Sequence, residues 1–190
     1  IPGAECFWDH VHFNFDGNFR LASGLADEVV SVIPERSRAT SQSQPRNLTQ
    51  EECATRPALT DWDRRLVLER MCRRVHEPPF TQQLDHEKRI QLWSELLVDL
   101  KQMTGPKDLT RAIGVYRKAL DRRNDDWLLH HRLAFLLEAT GDFAGAEQHW
   151  RRVLELIPGF PDALFKLGDM SARESRFIEA EERYSQVLEL

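Results

Sequence analysis

Alanine recurs at a constant spacing of 34 residues in the C-terminal half of the chain, at Ala112, Ala146 and Ala180. A large aromatic residue follows each alanine four positions later, and apolar residues stand three positions before it and seven and eight after it. Column by column, these companions are Tyr116, Trp150 and Tyr184; Leu109, Phe143 and Phe177; Ala119, Val153 and Val187; and Leu120, Leu154 and Leu188. A period shared by all these columns indicates a repeated helical unit that completes its core by stacking on its neighbours.

These columns resemble the tetratricopeptide repeat (TPR), a helix-turn-helix unit of the same length with an alanine-aromatic pair and a closing proline. Pro158 stands at the closing position of the middle unit. The resemblance implies an all-α fold: a helix-turn-helix TPR solenoid of about three repeats, preceded by irregular helices and a short N-terminal loop-helix segment. The expected repeats are residues 93–126, 127–160 and 161–190.

The part of the chain before the repeats divides into three segments. Residues 34–48 are rich in Ser, Gln and Arg and nearly free of apolar side chains, which predicts a linker. Residues 49–92 carry helical patterns without the regular period, so we expect an irregular helical segment there. Residues 1–33 form a separate loop-helix segment.

Capping and breaking residues place several helix ends. Thr49, followed by Glu52, predicts that a helix starts there. Residues 124–126 predict a cap, and residues 141–142 predict a turn between two helices. A long helix is expected over residues 83–103.

The composition argues against several classes of protein. The net charge of -5 opposes general affinity for phosphate backbones, so no nucleic-acid partner is expected. No apolar run is long enough for a membrane span and no signal peptide is visible, which predicts a soluble protein without membrane insertion, in a compartment the sequence leaves open. Cys6, Cys53 and Cys72 form no C-x-x-C pair, so neither a disulfide framework nor a metal site is expected, and no cofactor is implied.

An Asp-x-x-His pair, Asp9 and His12, lies in the N-terminal segment just before a helical pattern. This block resembles the last conserved block of the SGNH (GDSL-like) hydrolases. The resemblance implies that Asp9 orients the imidazole and that His12 is the general base for a serine nucleophile. Metal binding by these residues with Cys6 and His10 is the weaker interpretation, because their spacing matches no common zinc pattern.

The Gly-Asp-Ser nucleophile block of that family is missing from the chain, and its oxyanion blocks are missing too. The Gly-Asp pairs at residues 141–142 and 168–169 are repeat positions. The chain alone is therefore not expected to be an enzyme. Our interpretation is that it is the C-terminal part of a larger bacterial protein, in which an SGNH-like domain precedes the repeats. Residues 1–33 would then be a remnant or the C-terminal end of that hydrolase-like domain.

The TPR resemblance places partner binding on the concave surface lined by the first helix of each repeat. The inward candidates are Leu128, His131, Arg132, Phe135, Glu138, Asp162, Phe165, Lys166, Asp169 and Arg173. His131 and Phe135 replace two key columns of the members that clamp a chaperone's C-terminal carboxylate, so that clamp is not expected. An extended peptide with apolar anchors beside Phe135 and Phe165 fits better. The alternative is that the protein's own N-terminal segment, or a neighbouring helix, fills part of this groove.

Two function classes follow from these features. The leading hypothesis is a TPR-type scaffold that binds a protein or peptide in the concave groove, with possible self-association through the uncapped C-terminal repeat. The alternative is the tail of an SGNH-like esterase or acetylhydrolase whose catalytic serine lies upstream of this chain. His130, His131 and His149, which lie on repeat helices, are expected to perform no chemistry.

Overall fold

The computed structural model describes residues 3–8, 11–34 and 48–190. Nine α-helices lie within these ranges, with short 3₁₀ turns at Ala4–Cys6 and Phe80–Gln82. The helices are α1 (Phe15–Val32), α2 (Gln50–Thr55), α3 (Asp61–Arg74), α4 (His86–Gln102), α5 (Pro106–Leu120), α6 (Trp127–Ala139), α7 (Phe143–Leu156), α8 (Pro161–Arg173) and α9 (Phe177–Leu188). None of the helices in the described ranges is long and apolar enough to cross a membrane.

The chain divides into two compact units. The N-terminal unit comprises Ile1–Arg56 with Leu66–Leu97, and the C-terminal unit comprises Pro57–Arg65 with Val98–Leu190. In the C-terminal unit, α6 packs closely on α7 and α8 on α9, while α7 meets α8 and α5 meets α6. This succession is the helix-turn-helix solenoid that the sequence period predicts, so the prediction of an all-α fold is confirmed.

Local sequence fixes where the repeat helices begin. The Asp126 carboxylate accepts hydrogen bonds from the N–H groups of Leu128 and Leu129, which caps α6 as predicted. Asp142 caps α7 in the same way, directly after Gly141, whose φ of 83° is a conformation that glycine adopts without strain. The turn between α6 and α7 is therefore dictated by two adjacent residues of the sequence.

The repeated columns form the core of the C-terminal unit. Ala112, Ala146 and Ala180 are all buried, and the aromatic rings of Tyr116 and Trp150 are fully buried. Small alanine side chains let paired helices approach, and the following aromatic ring fills the space beside them. Each helix pair therefore depends on its neighbour for a complete core.

A buried carboxylate joins residues 57–65 to the repeat helices of the C-terminal unit. The Asp63 carboxylate accepts a short hydrogen bond from the Tyr116 hydroxyl and bonds of 2.8 and 2.6 Å from the backbone N–H and the hydroxyl of Thr60. Arg132 on α6 lies 3.9 Å from the same carboxylate. Burial, followed by the neighbouring Asp63 charge, raises the pKa of Tyr116, which keeps the phenol protonated as a donor.

The N-terminal unit contains a structured loop that packs against the first turn of α1. The Asn14 side chain caps α1 by accepting from the Gly17 N–H at 2.9 Å, and its own amide donates to the Glu5 carbonyl at 2.6 Å. A Cβ on Gly17 would lie only 2.3 Å from the Cys6 carbonyl oxygen. The loop therefore approaches α1 closely because residue 17 is glycine.

Two upstream helix predictions have different outcomes. The helix start predicted at Thr49 is confirmed, since α2 begins at Gln50, and Thr49 and Glu52 form both reciprocal hydrogen bonds of a capping box. The helix predicted over residues 83–103 is α4, which begins at His86, so the predicted start is wrong by three residues. The chain forms a 3₁₀ turn over Phe80–Gln82 and a further turn, in which the His86 N–H donates to the Gln83 carbonyl at 3.1 Å.

Candidate functional site

The ten predicted groove residues all lie on α6 and α8 of the C-terminal unit, and together they are called the α6/α8 surface below. Hydrogen bonds and ring contacts between side chains of α6 and α8 bring the two helices together at this surface. Leu128 is 38% exposed and Phe165 is 49% exposed, whereas Phe135 is half-buried. The surface thus combines two accessible apolar side chains with a partly covered ring.

An aromatic cluster lies beneath the surface. The His131 ring contacts the rings of Phe135, Trp150 and Phe160 in edge-to-face geometry, at centroid distances of 5.0, 5.2 and 5.4 Å. Phe135 and Trp150 also meet edge to face at 4.8 Å, and Trp127 lies 5.1 Å from Phe160. Edge-to-face contacts are the preferred geometry of aromatic pairs, so these rings hold one another in place.

An ion pair connects the two helices across the cluster. The Lys166 ammonium on α8 lies 2.7 Å from one carboxylate oxygen of Glu138 on α6, and the Trp150 indole N–H donates to the other oxygen at 2.6 Å. The same ammonium lies 5.0 Å from the centre of the Phe135 ring. Both charged side chains are mostly buried, so Lys166 has its partners within the protein and is not directed toward solvent.

His131 forms the second connection between α6 and α8. Its Nε2 lies 3.2 Å from a carboxylate oxygen of Asp162, near the start of α8. Its Nδ1 is buried and has no hydrogen-bond partner among the residues that the structure describes. A neutral imidazole with the proton on Nε2 donates to Asp162 and leaves Nδ1 without a proton, which is the tautomer that this geometry favours.

The remaining polar residues of the surface contact side chains that lie next to it. The Tyr184 hydroxyl on α9 donates to Asp169 at 2.7 Å, and this hydrogen bond raises the pKa of Tyr184. The Arg173 guanidinium lies 5.1 Å from the centre of the Phe143 ring, and Arg132 lies beside Asp63 as described above. Every polar member of the α6/α8 surface therefore has a partner within the C-terminal unit.

A histidine pair lies behind this surface, between α6 and α7, and sequence reasoning did not predict it. His130 Nδ1 and His149 Nδ1 are 2.8 Å apart, and His130 Nε2 lies 3.1 Å from the Asn124 carbonyl oxygen. Because a carbonyl only accepts, His130 donates from Nε2 and its Nδ1 accepts the proton of His149 Nδ1. Both histidines occupy helix positions that face the neighbouring helix, but their spacing in the sequence does not predict that the two rings contact each other.

The histidine pair predicts an acid-sensitive fold. Burial, followed by the charges of His130 and Arg117, lowers the pKa of His149 from 6.5 to about 4, and Asp142 opposes this shift only in part. Between these values the unfolded chain binds a proton that the folded chain does not, so the free energy of unfolding decreases as the pH falls through this window. Allowing for the partial exposure of His149, we expect a loss of about 1–2 kcal/mol between pH 7 and pH 4.5.

Urea unfolding at pH 7 and pH 4.5 measures this contribution. The carboxylates of the chain add their own pH dependence, so the matched comparison is His149→Gln, which removes the titrating group alone. The difference in stability between the two pH values should be smaller in this variant by the amount given above. Identical pH dependence in the variant and the original chain would rule out His149 as a source of acid lability.

The predicted hydrolase-type pair lies in the N-terminal unit. Asp9 falls outside the described residues, whereas His12 lies in the loop before α1 with an exposed side chain. The Trp8 N–H donates to the His12 carbonyl at 2.8 Å, and the Phe7 ring stacks on the Phe13 ring at 4.4 Å, so residues 7–8 lie against residues 12–13. Arg89 on α4 also donates to the Trp8 carbonyl at 3.1 Å.

Comparisons with known proteins bear mainly on the C-terminal unit. No curated protein sequence matches the chain. The crystal structure of MamA is similar with a TM-score of 0.43 and 13% sequence identity, covering 92% of this chain and 89% of that one, a likeness too weak to carry an argument. A family model described as tetratricopeptide repeat matches residues 128–170, which include α7 and nearly all of α6 and the first part of α8. The segment that carries the α6/α8 surface therefore contains a tetratricopeptide repeat.

Proposed function

We propose that this chain is a protein-interaction scaffold that holds an extended segment of a partner protein on the α6/α8 surface. The observation that carries the proposal is the match of residues 128–170 to the tetratricopeptide repeat, since repeats of this family generally bind proteins or peptides. Leu128 and Phe165 remain accessible on this surface, which also contains Phe135, a ring fixed by its contact with Trp150. Exposed apolar side chains on a rigid support are suited to binding apolar anchors of a peptide.

Peptide display tests this proposal. A library of random nine-residue peptides is panned against the 190-residue chain, and hydrogen exchange then locates the bound peptide. We expect slowed exchange in α6 and α8, and at least about tenfold weaker binding to Phe165→Ala, because this change removes an exposed anchor ring. Leu92→Ala is the matched control, since Leu92 is 60% exposed but lies on α4, outside the surface. Failure to enrich any peptide, or protection confined to other helices, would refute the proposal.

The second candidate function is the tail of an SGNH-like esterase or acetylhydrolase. Two observations favour it: the His12 carbonyl accepts a hydrogen bond from the Trp8 N–H, which holds His12 in place before α1, and α1 carries an exposed apolar stripe. The stripe consists of Leu21, Leu25, Val29 and Val32. Their helical spacing puts them on one face, and such a face in a stable protein is normally covered by another part of the molecule or a partner. A preceding hydrolase domain would cover it and supply the serine nucleophile that this chain lacks.

Self-association is the finer part of the scaffold proposal. Three apolar side chains on α9 are more than two-thirds exposed: Phe177 at 67%, Ile178 at 78% and Leu188 at 87%. In a stacked solenoid, the outer face of a helix pair is the place where the next pair adds. A second copy of this chain is accordingly the partner that we propose for the outer face of α9.

A further inference from the structure

The polar residues of the α6/α8 surface are all engaged by partners within the C-terminal unit. His131 pairs with Asp162 at 3.2 Å and Glu138 with Lys166 at 2.7 Å, so two of these contacts directly connect the helices. The other polar members contact residues next to the surface: Arg132 with Asp63, Asp169 with Tyr184, and Arg173 with Phe143. A partner that paired with Lys166 or Glu138 would first have to separate these two side chains from each other.

Displacing these partners has a physical cost. The side chains of Lys166 and Glu138 are only 26% and 18% exposed, and Glu138 also accepts from the Trp150 indole. Separating a mostly buried pair leaves one charge without its counter-charge in a poorly hydrated place, which is strongly unfavourable. An acidic group on the partner therefore cannot form an ion pair with Lys166 unless Glu138 loses its ammonium partner.

The net charge of the surface leads to the same conclusion. Arg132, Lys166 and Arg173 are cations, Glu138, Asp162 and Asp169 are carboxylates, and the two groups are equal in number. With histidine counted as neutral, the surface has no formal net charge with which to attract a charged ligand over a distance. The other members of the surface are the apolar side chains of Leu128, Phe135 and Phe165, and of these Leu128 and Phe165 are the more exposed.

We infer that the segment bound at the α6/α8 surface is uncharged at its anchor positions and is held by apolar side chains, without a clamp on a carboxylate. This inference rests on the proposed scaffold function and specifies the chemistry of its partner. The anchors contact Leu128 and Phe165, while the contacts of His131 with Asp162 and of Lys166 with Glu138 hold α6 and α8 together. Binding of this kind depends on buried apolar area and only weakly on ionic strength.

The experiment uses peptides enriched from the display library, synthesised with acetylated and amidated ends. Each is compared with versions whose apolar anchors are replaced by Asp or by Lys, and with a version that has a free C-terminal carboxylate. Fluorescence anisotropy in 50 and 500 mM NaCl gives the dissociation constants. We expect binding without any free carboxylate, more than about tenfold weaker binding of the Asp and Lys versions, and a change of less than about twofold between the salt concentrations.

The outcomes separate the inference from the function on which it rests. Enriched peptides that require acidic or basic anchors, that need a free carboxylate, or that weaken more than about tenfold in high salt would overturn the inference while the scaffold function stands. Absence of any enriched peptide would overturn both. Equal loss of binding in Phe165→Ala and in Leu92→Ala would also overturn the inference, because only Phe165 belongs to the surface.

Discussion

The Trp150→Ala variant is expected to lose about 4 kcal/mol of its free energy of unfolding. Trp150 is fully buried, and its ring meets Phe135 and His131 edge to face. Its indole N–H also donates to Glu138, which in turn pairs with Lys166. Truncation therefore leaves a large cavity, removes two aromatic contacts and takes one donor from a mostly buried carboxylate.

Urea unfolding followed by circular dichroism measures this loss. Trp150→Phe separates the two contributions, because it keeps most of the ring but removes the N–H; we expect a cost of about 1–2 kcal/mol for it. Leu92→Ala is the control for truncation of an exposed apolar residue and should change stability by less than about 0.5 kcal/mol. A Trp150→Ala chain as stable as this control would mean that the alanine-aromatic columns do not form the core.

His12→Ala is expected to abolish ester hydrolysis in the longer protein proposed above, in which an SGNH-like domain precedes this chain. If His12 is the general base, its removal should lower kcat/KM for 4-nitrophenyl acetate by at least about 10³-fold, because a triad without its base cannot activate the serine. The measurement is the initial rate of nitrophenol release by this longer protein. No effect is expected on the stability of the repeats, since His12 belongs to the N-terminal unit.

His76→Ala is the matched control for the hydrolysis assay, because His76 is an exposed histidine outside the loop. It reports the contribution that any surface imidazole makes to hydrolysis of an activated ester. Full activity in His12→Ala would remove His12 from the mechanism. If the longer protein shows no hydrolysis at all, the hydrolase candidate is refuted and the scaffold function remains as the proposed function of this chain.

The repeats could be predicted because burial is imposed at the same position in every unit. The spacing of Ala112, Ala146 and Ala180 determines which faces of the helices must be covered, and the structure buries all three residues. The caps at Thr49 and Asp126 were predictable for a similar reason, since each acts within its own turn of chain. The face of α6 and α8 that carries the ten groove residues also follows from helical spacing.

The partners of the groove residues could not be predicted in this way. The Lys166 contact with Glu138 and the His131 contact with Asp162 depend on how two helices are placed next to each other, which a period along one helix does not specify. The contact between Asp63 and Tyr116 joins positions 53 residues apart in the chain, one of them outside the repeats. These contacts involve polar residues, whose pattern in sequence resembles that of an ordinary solvated face.

The internal pairing of the α6/α8 surface constrains how its specificity can change during evolution. A single substitution at Lys166 or Glu138 removes one member of a mostly buried pair and thus destabilises the fold before it alters any ligand preference. Substitution of Leu128 or Phe165 has no such penalty, because both side chains are accessible. Among descendants of this chain, we therefore expect the apolar positions to vary independently and positions 138 and 166 to change together.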